Sequence, residues 1–303
     1  TSWQDYVDQV KAAARSLLAL GVEPGEAVAI LGSNTPEWVI FDVAAMTVGA
    51  TPAGIYPTNA PEECAYVIDH SRSPVILVQN QTQLDKVLQK WDELPNLRHI
   101  VLMPGTSSEV EGVMTWDEFI ARGADVDMDT VDGRLSALGP RDPATLIYTS
   151  GTTGPPKAVV LPHEAMVSLI EGIHSFIPLD TSDSAISYLP LSHIAEQIVS
   201  IHGPAVMGLT VYYEPDITRL ADTLKEVRPT AFFAVPRVWE KFYAGVSEKL
   251  AEATGAKAAI AKMAMSVGRQ HTAVLDKGEQ PGGLLGAQYA LFDRLVYGKA
   301  KEA

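Results

Sequence analysis

The sequence predicts an α/β protein with parallel-rich sheets covered by helices. Short apolar runs alternate with amphipathic segments of roughly ten or more residues, the pattern of successive βαβ units. The 303 residues are 47% hydrophobic and 20% charged, enough apolar content for a sizeable core. A single cysteine, Cys64, excludes a disulfide scaffold and a Cys-rich zinc site and points to a reducing, cytoplasmic setting.

Tyr6, Val10, Ala14, Leu17 and Leu18 recur at helical spacing before Gly21, giving a helix over 3–20. Ala27 to Leu31 reads as a buried strand. Thr35 is placed to cap a helix over 37–48 with Pro36 in its first turn. The rhythm continues with strand 50–55, helix 62–70, strand 75–79, helix 81–91 and strand 99–103. Residues 104–143 interrupt it with acidic, Gly-bearing sequence and a short helix near 116–122. Beyond this lie strands 144–148 and 157–161, helix 164–176, strand 184–189, helix 194–207, strand 210–213, helix 216–227 and strand 231–235. From Arg237 onward the sequence reads helical, over 237–253, 256–275 and 284–300, with Trp239 expected in the core. The domain division expected is 1–180 and 181–303.

The formal net charge is −14, which disfavours nonspecific capture of nucleic acid, because that binding needs Lys and Arg to neutralise phosphates. Residues 237–303 nevertheless carry 10 Lys+Arg against 7 Asp+Glu, consistent either with solvated helix faces or with a patch for CoA, a partner or an anionic membrane. The uncharged stretch 197–213 is too short to span a bilayer and contains Gly203, Pro204 and Gly208, so no transmembrane helix is predicted.

The segment from Thr149 to Lys157 packs four hydroxyls, two glycines and a lysine into nine residues after a buried strand. Glycine lets backbone approach a polyphosphate, hydroxyl and N–H groups donate to phosphate oxygens, and lysine adds a point charge. The two prolines before Lys157 separate it from a Walker A loop, where lysine directly follows the second glycine.

Tyr148-Thr-Ser-Gly-Thr-Thr-Gly-Pro-Pro-Lys157 resembles the phosphate-loop signature of the AMP-forming acyl- and aryl-CoA synthetases. Ala158, where glycine is usual, and Pro162, where Thr or Ser usually precedes the histidine, depart from that pattern. Tyr188-Leu-Pro-Leu-Ser-His-Ile-Ala-Glu196 is similar to the family's Leu-Pro-x-x-His element. Pro229 to Lys241, Ser33-Asn-Thr-Pro-Glu-Trp38 and Gly54-Ile-Tyr-Pro57 resemble the "bubblegum" branch of long-chain fatty acid:CoA ligases.

The resemblance implies that Thr149, Ser150, Gly151, Thr152, Thr153, Gly154 and Lys157 hold the β- and γ-phosphates of ATP with Mg²⁺, Thr149 also contacting the metal. It implies that His193 meets the substrate carboxylate or adenylate, although a lone histidine is more often structural. Gln197, read as one turn beyond His193 on the same face, stands either where long-chain enzymes gate the acyl tunnel or as a buried polar packing residue. His193 and Glu196 could mimic half a carboxylate-histidine metal site. His163 and Cys64 are read as structural.

The resemblance further implies activation of a fatty acid with ATP to acyl-AMP, then transfer to CoA. The family's later elements, a Mg²⁺-holding glutamate, a ribose-binding aspartate and a C-terminal domain with a catalytic lysine, are not found after Lys241. The expectation is therefore an incomplete N-terminal domain of an adenylate-forming enzyme, its C-terminal domain absent, with negligible ligase activity by itself. Two alternatives stay open: adenylation of an aryl or amino acid, and a truncated module that binds ATP or a partner without catalysis.

Overall fold

The computed structural model describes residues 1–149, 154–251 and 254–298. Contacts divide the chain into two units, Thr1–Ala231 and Phe232–Ala303. The expected boundary at 180/181 falls inside the first unit, between its two sheets.

Helix α1 (Trp3–Ala19) opens on a capping box in which the Ser2 hydroxyl accepts the Asp5 N–H at 3.1 Å and the Asp5 carboxylate accepts the Ser2 N–H at 2.9 Å. Strand β1 (Ala27–Leu31) follows, then α2 (Pro36–Thr47), where the Thr35 hydroxyl accepts the Trp38 N–H at 3.3 Å. Next come β2 (Thr51–Ile55), α3 (Pro61–Ser71), β3 (Val75–Val78), α4 (Gln81–Leu88) and β4 (His99–Leu102). The 104–143 stretch holds more order than its polar sequence suggests: β5 (Val113–Thr115), α5 (Trp116–Arg122) and α6 (Met128–Ser136). Strands β6 (Pro143–Thr149) and β7 (Lys157–Pro162) complete a seven-stranded sheet ordered β5-β4-β3-β1-β2-β6-β7.

The sheet is parallel from β5 to β6, so the carboxyl ends of β1, β2 and β6 share one edge. Strands β1, β2 and β3 are buried on both faces, and alternate residues sort by side. Val28, Ile30, Val75 and Leu77 pack with α1, α2 and α5, whereas Ala29, Leu31, Ile76 and Val78 pack with α3 and α4. Strand β7 departs from the parallel expectation and runs antiparallel to β6, Thr149 opposite Lys157. The seven intervening residues cannot carry a crossover, which takes a dozen or more. β7 ends the sheet, leaving Val159 and Val160 exposed.

Helix α7 (His163–Phe176) leads to a two-stranded parallel sheet, β8 (Ser184–Ser187) with β9 (Thr210–Tyr213). Their connection is one helical run made of α8 (Ile194–Gln197), a π-helical turn (Ile198–His202) and α9 (Gly203–Met207). A Cβ on Gly203 would lie 2.7 Å from the Ile198 carbonyl oxygen, so the widened turn requires glycine there. Helix α10 (Leu220–Val227) follows. Residues 231–235 form no strand. At the start of the segment the Ala231 N–H reaches the Ser184 carbonyl at 3.0 Å, and the preceding Thr230 hydroxyl accepts the Ser184 N–H at 2.8 Å.

The second unit contains α11 (Pro236–Ala251), α12 (Gly255–Leu275) and α13 (Gly283–Phe292), the last continued by a π-helical turn over Asp293–Tyr297. Trp239 is 52% exposed and not in a core. It packs locally, edge-on to Phe232 and Phe242, with its indole N–H donating to the Ala234 carbonyl at 3.2 Å. No helix among the described residues is long and apolar enough to cross a membrane.

Candidate functional site

Strand β6 is buried through Tyr148 and emerges at Thr149, which is exposed opposite the exposed Lys157 of β7. Gly154 has φ +93°, a conformation open to glycine, and a Cβ there would meet nothing within 4 Å. Among the described residues no carboxylate pairs with Lys157. Thr149, Gly154 and Lys157 therefore belong to one solvent-facing hairpin at the carboxyl edge of the sheet. Ser150, Gly151, Thr152 and Thr153 lie outside the described residues.

Helix α3 supports the hairpin. The Tyr66 hydroxyl donates to the Pro156 carbonyl at 2.9 Å, and His70 Nδ1 lies 2.9 Å from the Tyr148 hydroxyl. The Tyr66 and His70 rings stack at a centroid distance of 5.4 Å, as residues four apart on one helix face can. Burial pushes the Tyr148 phenol up to about 12, so it stays protonated at neutral pH.

The second motif lies against the end of β2. Its segment 188–193 comes so close that a Cβ on Gly54 would sit 2.8 Å from Ser192 Cα and 3.2 Å from Trp38 Cζ2. From the other side Asn34 ties it down, its side-chain amide donating to the Ser187 hydroxyl at 2.8 Å and the Leu189 carbonyl at 2.7 Å. Buried Glu196 accepts the Ser200 hydroxyl at 2.6 Å and the Tyr188 N–H at 3.1 Å. Burial raises its carboxyl above the ordinary range. Three stretches far apart in sequence, 33–38, 54–57 and 188–196, are thus one packed unit.

His193 is not inside the helix. It is the N-cap of α8, in extended conformation, and its Nδ1 accepts the Ala195 N–H at 3.1 Å while its side chain remains exposed. Gln197 is fully buried and its side-chain amide donates to the Leu191 carbonyl at 3.0 Å. The two do not share a face, because the one-turn rule holds only between residues that are both helical. Trp38 Nε1, Ser192 Oγ and Gln197 Oε1 are buried without a protein partner. Cys64 is fully buried, its thiol pushed up to about 11 by that burial, and acts as a small core side chain.

Tyr66 and His70 escape a reading by motif, and the packing roles of Asn34 and Glu196 are not stated by theirs. Asn34 and Glu196 carry one signal, since each stands inside a matched stretch. Tyr66 and His70 carry only their four-residue spacing.

The chain belongs to a family of adenylate-handling enzymes, described as AMP-binding enzyme, whose sequence profile matches residues 1–278. Among its relatives, the long-chain-fatty-acid–CoA ligase ACSBG2 of Xenopus laevis is 37% identical over 310 residues, covering 100% of this chain and 42% of that protein. The long-chain-fatty-acid–CoA ligase FadD15 of Mycobacterium bovis is 35% identical over 304 residues, covering 99% and 49%. The chain thus spans under half the length of these relatives. The A-PCP didomain of a carboxylic acid reductase from Segniliparus rugosus, in complex with AMP, superposes with a TM-score of 0.70 at 23% identity, covering 86% of this chain and 40% of that one. The N-terminal domain of FACL13 from Mycobacterium tuberculosis gives 0.65 at 24% identity, covering 78% and 56%. These structures share the fold.

Proposed function

We propose that the chain is the phosphate-handling part of an AMP-forming, long-chain fatty acid:CoA ligase. The observation that carries this is the hairpin presenting Thr149, Gly154 and Lys157 at the carboxyl edge of a parallel sheet, where open α/β sheets bind ligands. The long-chain-fatty-acid–CoA ligase relatives support the acyl substrate.

The first step joins two anions. A carboxylate oxygen of the fatty acid bonds to the α-phosphorus of ATP as the bond to pyrophosphate breaks, giving acyl-AMP. The thiol of CoA, giving up its proton, then displaces AMP from the acyl carbon. Neither step needs a nucleophile from the protein, so its contribution is positioning and charge screening. The Lys157 ammonium and the Thr149 hydroxyl, with Ser150, Gly151, Thr152 and Thr153 between them, hold the β- and γ-phosphates. Gly154 lets backbone approach them.

Among the described residues no group of three His, Cys, Asp or Glu can hold a metal. The Thr149 hydroxyl would be the protein oxygen on an Mg²⁺ that arrives with ATP, the ion supplying charge neutralisation. Because Nδ1 of His193 accepts the Ala195 N–H, the ring proton of the neutral imidazole resides on Nε2, which is left to donate to the substrate carboxylate or adenylate. For Gln197, the buried amide tied to Leu191 supports a packing residue over a gate on an acyl tunnel. The lipid substrate and the locally basic 237–303 stretch support contact with an anionic membrane surface.

The test is ATP–pyrophosphate exchange on the full gene product with palmitate, benzoate and leucine as carboxylates. Exchange driven by palmitate is expected. Exchange driven only by benzoate or leucine overturns the long-chain assignment, and none with any carboxylate overturns the ligase reading.

A further inference from the structure

The two ends of the hairpin are held by one helix. The Tyr66 hydroxyl bonds the Pro156 carbonyl, and that oxygen lies in the same rigid peptide plane as the Lys157 nitrogen. Fixing the carbonyl therefore fixes the direction in which β7 starts and the lysine departs. Pro155 and Pro156 restrict the chain just before this plane, so little torsional freedom remains to absorb an error. On the opposite strand, His70 Nδ1 meets the hydroxyl of Tyr148, the residue next to Thr149. Thr149 and Lys157 pair across the hairpin, so the two bonds set both members of one cross-strand pair. Stacking of the Tyr66 and His70 rings makes the two supports one unit.

We propose that Tyr66 and His70 of α3 are positioning residues for nucleotide binding, holding the β6 and β7 ends of the hairpin so that Thr149 and Lys157 meet the phosphates together. This rests on the reading of the hairpin as a phosphate site. Neither residue touches the nucleotide. Both act by preorganising groups that do, which lowers the ordering cost of binding.

The experiment is titration calorimetry of Mg·ATP into the unaltered full gene product and into its Tyr66→Phe, His70→Leu, His70→Asn and Lys157→Ala variants, with the thermal midpoint of each measured without nucleotide. Tyr66→Phe and His70→Leu are each expected to weaken ATP about three- to tenfold, the loss of one hydrogen bond. Their nucleotide-free midpoints should match that of the unaltered chain. His70→Asn, whose amide stands where Nδ1 stood, should recover most of the affinity.

If Tyr66→Phe and His70→Leu bind ATP like the unaltered chain while Lys157→Ala is weakened, the positioning role is overturned and the phosphate site stands. If affinity falls only together with the nucleotide-free midpoint, the residues are structural and the proposal is equally overturned. If the unaltered chain binds no ATP, or Lys157→Ala binds as well as it does, the phosphate-site reading fails and the positioning role with it.

Discussion

The β6–β7 hairpin and the 188–207 segment both reach the carboxyl edge of the seven-stranded sheet, yet one keeps its polar side chains in solvent and the other buries most of them. On the hairpin, Thr149 and Lys157 are exposed, and Lys157 has no carboxylate partner among the described residues. In the 188–207 segment, Glu196, Gln197, Ser192 and Ser200 are buried. Polar groups left in water remain available to a ligand, whereas polar groups taken out of water must be satisfied internally or cost stability. A motif in the first region accordingly leaves its polar groups open to a ligand. In the second, most of the motif reports on packing, with His193 its exposed exception.

The sharpest way to break this contrast is Gly54→Ala. The added methyl meets Ser192 backbone at 2.8 Å inside a buried strand, so the segment must shift. A loss of about 2–3 kcal/mol is expected from urea denaturation, in the range of core overpacking. A stability unchanged within error would mean that 188–193 is only loosely seated on β2.

A pH series probes the same region through His202, whose Nε2 is buried without a protein partner. Burial first, then the neighbouring His163, lowers its pKa to about 4. A base with a depressed folded pKa is charged more readily when unfolded, so stability is lost as pH falls from about 6.5 towards 4. The loss attributable to it is expected to be up to about 3 kcal/mol. In His202→Gln that part of the acid dependence should disappear, and unfolding midpoints measured at pH 7, 6 and 5 check it.

Lys157→Ala tests the hairpin side. Affinity for Mg·ATP should fall at least about tenfold, equivalent to about 1.4 kcal/mol. The melting temperature should barely move, since surface substitutions usually stay within about 0.5 kcal/mol. A large drop in melting temperature would place the lysine with the buried groups after all. A smaller effect than that loss of affinity is expected for the stability of His193→Ala, which loses one N-cap bond, about 0.5–1 kcal/mol by thermal denaturation. On the proposed reaction its effect should exceed that, because the same ring carries Nε2.

Most of the first sheet was legible because its strands are apolar runs buried on both faces and its helices carry one apolar stripe. Strand β1 over Ala27–Leu31 and helix α2 with its Thr35 cap are signalled by local residues alone. Strand β5 and helix α6 were not, β5 being only three residues long and α6 largely polar. Residues 231–235 show the converse: their apolar and aromatic character reads as a strand, and they form none. At the hairpin, Thr149, Gly154 and Lys157 could be singled out from sequence because the loop's composition is written in consecutive residues. The placement of Gln197 was not, because whether His193 is the first residue of a helix or its cap depends on backbone torsions that its residue type does not fix. Asn34 and Glu196 meet only through tertiary structure.

The position of β7 at the end of the sheet has a consequence for how the protein behaves in concentrated solution. Its outer backbone is a template for one more strand, and exposed Val159 and Val160 would make such pairing adhesive. Lys157 at one end and Pro162 at the other confine the sticky stretch to four residues, Ala158 to Leu161. The lysine that faces phosphate on one account is, on this one, also a guard against self-association.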